Sequence, residues 1–192
     1  MTKRVGQTVA VSTSFSIDVA TGSMAGGTTI TLTGTRFVVN GISRVTFGGS
    51  NATSLNVVNA TSATCVTPEH LVEEAVDVVL YPVYGPPITL AAAFTYAYVA
   101  PTLVSLTPNN GDNLGGDSVV VAGTNFLSNG DEGSYVLFFG SDSASWGDMT
   151  WISSTSFSVM TPRASGPGVV DVYLSDNHGS SNTLTGGFTF NP

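Results

Sequence analysis

A block of sixteen residues occurs twice in this chain, and that repeat limits it to an architecture of two copies of one module. The first copy runs Gly22-x-x-x-Gly26-Gly27, continues through Ile30 and Leu32, and closes on Gly34-Thr35-Arg36-Phe37. The second runs Gly111-x-x-x-Gly115-Gly116, then Val119 and Val121, then Gly123-Thr124-Asn125-Phe126, with no gap between the two. Further blocks follow in the same order. Phe47-Gly48 answers Phe139-Gly140, and Thr67-Pro68 answers Thr161-Pro162. Val76-Asp77-Val78 answers Val170-Asp171-Val172, and Phe94-Thr95-Tyr96 answers Phe188-Thr189-Phe190. Insertions fall between the blocks, where surface loops tolerate them.

Each block reads as a strand. Ile30 and Leu32 alternate with threonines, and Val45 with Phe47, then Val76, Val78 and Leu80, repeat the period of two. Glycine pairs before the first strand and Gly-Thr after it supply turns. Six or seven short strands in about 85 residues is the pattern of a β-sandwich. The expected fold is therefore all-β, two tandem immunoglobulin-like sandwiches behind an extended N-terminal arm, with an arm or strand at 1–17, a first domain at 18–98 and a second at 99–192. A turn or short 3₁₀ piece is expected only around Pro68–Glu74. Tyr96-Ala97-Tyr98-Val99-Ala100-Pro101 leaves little slack between the copies, so the linker predicts modules held end to end.

Charge narrows the function. Only 9% of residues are charged, against about 25% in an ordinary globular domain, and the net charge is −8 with Lys3 the single lysine. Phosphate backbones are bound by lysine and arginine, so no nucleic-acid partner is expected. No stretch approaches the roughly 18 apolar residues of a membrane span, so no membrane insertion is expected either. Cys65 has no second cysteine to pair with, and its place in an alternating apolar stretch predicts a core thiol. The first eight residues contain no apolar run of signal-peptide length, so the chain is expected to be made in a cytoplasm without a classical export signal.

Ahead of the repeat, Val5, Val9, Val11, Phe15, Ile17 and Val19 all occupy odd positions among polar neighbours. That is a long one-faced strand. Its second half suits the first strand of domain one, and the whole suits an arm that adds a strand to a partner's sheet. Both readings stay open on the sequence.

No catalytic residues are expected. His70 and His178 occupy non-matching places in the two copies, His178 inside a hairpin-like turn, and no nucleophile elbow, zinc-protease helix or phosphate loop is present. No cofactor and no metal are expected. The acids Asp112, Asp117, Asp131, Glu132, Asp142 and Asp148 lack the spacing of a calcium loop and read as solvated turn residues. Trp146, Tyr81 and Tyr84 are the aromatics that would stack on sugar rings if the chain binds glycans, while Trp151 suits the core.

The second copy resembles an IPT/TIG domain. The resemblance rests on Pro101 and Pro108, Asn109-Asn110-Gly111, Gly115-Gly116, Val119-x-Val121-x-Gly123-Thr124-Asn125-Phe126, Phe139-Gly140, Thr161-Pro162 and Phe188-Thr189-Phe190. The first copy follows it without the opening proline. The family implies an immunoglobulin-like fold, and such modules are similar to those that decorate phage particles. The expectation is a non-enzymatic virion structural protein of a tailed bacteriophage, a capsid decoration or fibre-like protein on the virion surface, assembled in the host cytoplasm. Its arm and first domain would anchor it to capsid or tail proteins, with the second domain projecting and a second copy of the chain as a further partner. The alternative is a carbohydrate-binding or adhesion module of a bacterial surface or secreted protein, with host-surface glycans as partners.

Overall fold

The computed structural model describes residues 14–192, so Val5, Val9 and Val11 lie outside the described residues. The first copy contains β1 (Phe15–Ile17), β2 (Thr21–Ser23), β3 (Thr29–Gly34), β4 (Ile42–Phe47), β5 (Ser50–Asn51), β6 (Thr53–Val57), β7 (Ser62–Val66), β8 (Ala75–Pro82) and β9 (Ile88–Ala97). A one-turn helix, α1 (Phe37–Asn40), follows β3. One sheet runs β1-β3-β7-β6, antiparallel throughout; the other runs β2-β9-β8-β4-β5, with β2 parallel to β9.

The second copy contains β10 (Thr102–Thr107), β11 (Asn110–Asp112), β12 (Ser118–Thr124), β13 (Val136–Phe139), β14 (Asp142–Ser145), β15 (Met149–Ser153), β16 (Ser156–Met160), β17 (Gly168–Asp176), β18 (Gly179–Ser180) and β19 (Leu184–Asn191). Its sheets run β10-β12-β16-β15 and β11-β19-β17-β13-β14, and β18 pairs with β17. This is the strand order of the first copy, with β18 added as a short hairpin. Residues Thr95–Pro192 with Thr21–Thr28 and Pro68–Ala75 form one compact unit; Thr29–Thr67 and Val76–Phe94 belong to the other.

Alternation decides which side chains go inward. Ile30 and Leu32 of β3 are buried while Thr29 and Thr33 are exposed, and Val119 and Val121 of β12 are buried while Ser118 and Val120 face out. The aromatics repeat as well. Phe47 meets Phe94 edge-on at 5.2 Å, and Phe139 meets Phe188 in the same way at 5.2 Å. Each such pair adds about 1 kcal/mol to the burial of its rings.

The opening strand of the first copy is present despite the missing proline. Phe15 lies opposite Gly34 and Ile17 opposite Leu32, and Phe15 is buried. Residues Phe15 and Ile17, read as part of a docking arm, are thus held by the first sandwich itself. Around residues 68–74 the chain bends at Leu71–Val72 without a helix. The Tyr96 hydroxyl donates to the Pro68 carbonyl at 2.9 Å, and the His70 N–H donates to the Met24 carbonyl at 2.8 Å. Those bonds hold the segment extended. Among the described residues no helix is long and apolar enough to cross a membrane.

Cys65 is buried opposite Ile30. Burial, with the Asp18 charge as a lesser cause, pushes its thiol up from 9.0 to about 11. Below pH 9 both folded and unfolded chains carry the thiol protonated. Between 9 and 11 the unfolded chain ionises first, so stability falls as pH rises, by up to about 2 kcal/mol from this group. Denaturation midpoints taken across that window check the sign. A thiol reagent near neutral pH should label Cys65 only after unfolding.

Candidate functional site

A polar cluster sits at one end of the second sandwich. Between β12 and β13 the chain makes a tight turn, α2 (Gly130–Gly133), in which Gly130, Asp131, Glu132 and Gly133 all have positive φ. Aspartate tolerates that left-handed conformation better than most residues, though it still costs about 1 kcal/mol or more. The turn drives the Asp131 carboxylate inward, where it is buried. This corrects the reading of Asp131 as a solvated turn acid. Residues outside the region of normal helix or strand geometry redirect their side chains, and spacing alone does not reveal it.

The carboxylate is met by donors from the β17–β18 hairpin. Asp131 Oδ2 accepts from the Asn177 N–H at 3.2 Å, from His178 Nδ1 at 3.1 Å and from Ser134 Oγ at 3.4 Å. Asp176 closes the hairpin itself: its Oδ1 accepts from the N–H groups of His178 at 2.8 Å and Gly179 at 2.9 Å. Its Oδ2 accepts from the Tyr98 hydroxyl. The Tyr98 ring lies flat on the His178 imidazole, centroids 3.9 Å apart. Burial first, and the Asp176 hydrogen bond second, raise the Tyr98 hydroxyl far above its usual titration range. Nearby, burial pushes Tyr135 up to about 12 while its hydroxyl accepts from the Leu127 N–H at 3.1 Å.

Asp131, Asp176 and His178 bring three ligand-type atoms within 4.8 Å of one another. A divalent cation would have to displace the N–H and O–H donors that already occupy both carboxylates. The Asp131–His178 pair also has the first half of a catalytic relay, yet no serine or cysteine among the described residues engages the other imidazole nitrogen. The cluster thus acts as a polar staple between α2 and the hairpin. Asp131→Ala is expected to cost about 2–4 kcal/mol, because it strands several donors at once. Calcium or zinc should move the melting temperature of the native chain by less than about 1 °C. A clear rise, lost in Asp131→Ala, would reassign the cluster as a metal site.

The other acids of the second copy mostly close turns. Asp112 accepts from the Leu114 N–H, Asp117 from the Asp112 N–H, Asp142 from Ser165 and Asp148 from Ser145.

The three aromatics considered for sugar stacking lie in different settings. Trp146 packs edge-on against Tyr135 at 5.8 Å, in space that a Cβ on Gly130 would fill. Tyr81 is covered by the Arg44 guanidinium at 3.9 Å. Tyr84 stands exposed at the β8–β9 tip. Tyr98, Asp131 and Asp176 were not legible as partners of His178, since Tyr98 reads as linker and Asp131 lies 47 residues away.

Comparison with known proteins agrees with the architecture. The IPT/TIG domain model matches residues 11–96 and again 101–190. Among solved structures the chain is similar to the Plexin A4 full extracellular region, at 21% identity and a TM-score of 0.44, over 94% of this chain and 18% of that one. It is also similar to SGBP-B from a xyloglucan utilization locus in Bacteroides uniformis, at 17% identity and a TM-score of 0.44, over 92% of this chain and 48% of that one. A third is the surface glycan-binding protein PbSGBP-B from Prevotella bryantii, at 20% identity and a TM-score of 0.39, over 90% of this chain and 38% of that one. The chain thus spans less than half the length of each. No curated protein matches it.

Proposed function

Because the chain belongs to the IPT/TIG domain family, in two tandem copies, we propose that it is a non-enzymatic structural protein of a tailed-phage virion. In this reading it is a capsid decoration or fibre-like protein, assembled in the host cytoplasm. It is anchored to capsid or tail proteins through its N-terminal arm and first domain, and its second domain projects.

One observation carries the reading. The apolar alternation starts at Val5, ten residues before β1 begins at Phe15, so the strand-forming pattern in the sequence is longer than β1 itself. A strand of that kind suits addition to a partner's sheet, where backbone hydrogen bonds supply affinity. Mass spectrometry of purified particles, with co-sedimentation of the chain and of a form lacking residues 1–13, tests it. The full chain should sediment with particles and the truncated form should not. Absence from particles, or equal sedimentation of both forms, overturns the reading.

A second reading, glycan binding by a surface adhesion module, draws on the open ring of Tyr84. It expects saturable binding of a glycan panel that Tyr84→Ala abolishes. Trp146 and Tyr81 lend it less, since Tyr135 and Arg44 already take their rings.

A further inference from the structure

Among the described residues, the first sandwich leaves an apolar pole exposed. Val38 is 62% exposed, Val39 65%, Val83 55% and Tyr84 73%. They belong to α1 and the β8–β9 tip, which are tied together: the Tyr84 N–H donates to the Asn40 carbonyl and the Val83 N–H to the Gly41 carbonyl, both at 3.3 Å. Scattered exposed valines are ordinary, but four adjoining apolar side chains mark a contact surface.

The second copy indicates what such a pole receives. In the ungapped match Phe37 answers Phe126, so Val38 answers Leu127, which is only 2% exposed. There the tip of the β17–β18 hairpin lies under Tyr98, an aromatic residue on the extended segment that enters the sandwich four residues before β10. In the first copy the chain enters at the same end, since the Thr35 N–H donates to the Ser14 carbonyl at 3.1 Å. Yet residues 1–13 include no aromatic and no carboxylate, and they carry Lys3 and Arg4. The pole has the same sign. Arg36 precedes α1 and Arg44 lies on Tyr81, and neither has a carboxylate partner among the described residues. Four of the five basic residues of a chain with net charge −8 thus belong to the arm or this pole.

We propose that this pole is the docking surface for an extended segment of a partner protein that carries an aromatic side chain and carboxylates. The aromatic ring fills the place that Tyr98 takes in the second copy, and the carboxylates answer Arg36 and Arg44. The proposal rests on attachment through the first module and names the chemistry of what it attaches to.

The test uses the full chain, isotope-labelled, titrated with the end-blocked peptide Asp-Tyr-Val-Tyr-Asp and with its counterpart Lys-Tyr-Val-Tyr-Lys. The acidic peptide should give saturable amide shifts at Val38, Val39, Val83 and Tyr84. Binding should weaken with salt, and by roughly tenfold or more for the lysine peptide or in Val38→Asp. Because Val38 is exposed, that variant should keep its melting temperature. No saturable shift at millimolar peptide, shifts on another surface, or equal response to both peptides overturns the proposal. So does a response that appears only after residues 1–13 are removed, since the pole is then filled by the chain's own arm. No particle is involved, so this result and particle attachment fail separately.

Discussion

Phe139→Ala is expected to destabilise the second sandwich by about 3–5 kcal/mol, the range for deleting a buried aromatic from a packed core. The Phe139 ring is fully buried. It meets Phe188 edge-on at 5.2 Å and Phe190 at 5.9 Å, and those two rings meet each other at 5.0 Å. Removing it therefore takes one member from a three-ring cluster and leaves a void that backbone-paired β13 and β17 cannot close. Both tryptophans of the chain, Trp146 and Trp151, lie in this copy, so intrinsic fluorescence during urea unfolding follows the affected sandwich. A cost below about 1 kcal/mol would mean that the ring is not packed as described.

Gly115→Ala is expected to cost about 2–5 kcal/mol, by two additive causes. A Cβ at Gly115 would stand 2.5 Å from the Pro162 backbone, and the residue has φ +75°. Backbone cannot rotate away as a side chain can, so overpacking adds about 1–3 kcal/mol, and left-handed alanine adds about 1–2 kcal/mol. Gly116→Ala is the internal control. Its φ is +88° but nothing lies within 4 Å of the added carbon, so only the conformational part, about 1–2 kcal/mol, remains. Equal losses for the two variants would remove the close approach from the account.

These two positions also explain what the sequence made legible. The glycine pair and the Thr-Pro step are the blocks that recur, and in the structure they touch: Gly26 lies against Pro68 as Gly115 lies against Pro162. Gly34 and Gly123 recur for a like reason, each leaving room for a phenylalanine ring, Phe37 or Phe126, and for the carbonyl of the incoming strand. Strand positions followed from period-two burial, which sets the inward face without knowledge of the partner strand. The sheet edges did not follow. The parallel pairing of β2 with β9 and of β11 with β19 joins segments some 75 residues apart, and Gly22 and Gly111 offer no alternation to announce it. The polar staple was legible only in part. His178 stands out as one of two histidines, but its partner is turned inward by four consecutive positive φ values, and Asp-Glu within a glycine-flanked turn reads as solvent-facing. The open pole at Val38 and Tyr84 was hidden as well, because exposure of a valine cannot be told from its place in an alternating pattern.

The asymmetry between the copies follows from the same comparison. In one sandwich Tyr98 lies on the hairpin tip at His178; among the described residues the other leaves Val38, Val39, Val83 and Tyr84 exposed near Arg36 and Arg44. Attachment by the first module is the claim that matters most, and Lys3 offers a direct probe, being the single lysine of the chain. Amine-reactive cross-linking of intact particles, read by mass spectrometry, should join Lys3 to a capsid or tail protein. Recovery of the chain from particles with no such link, or its absence from them, would contradict the account.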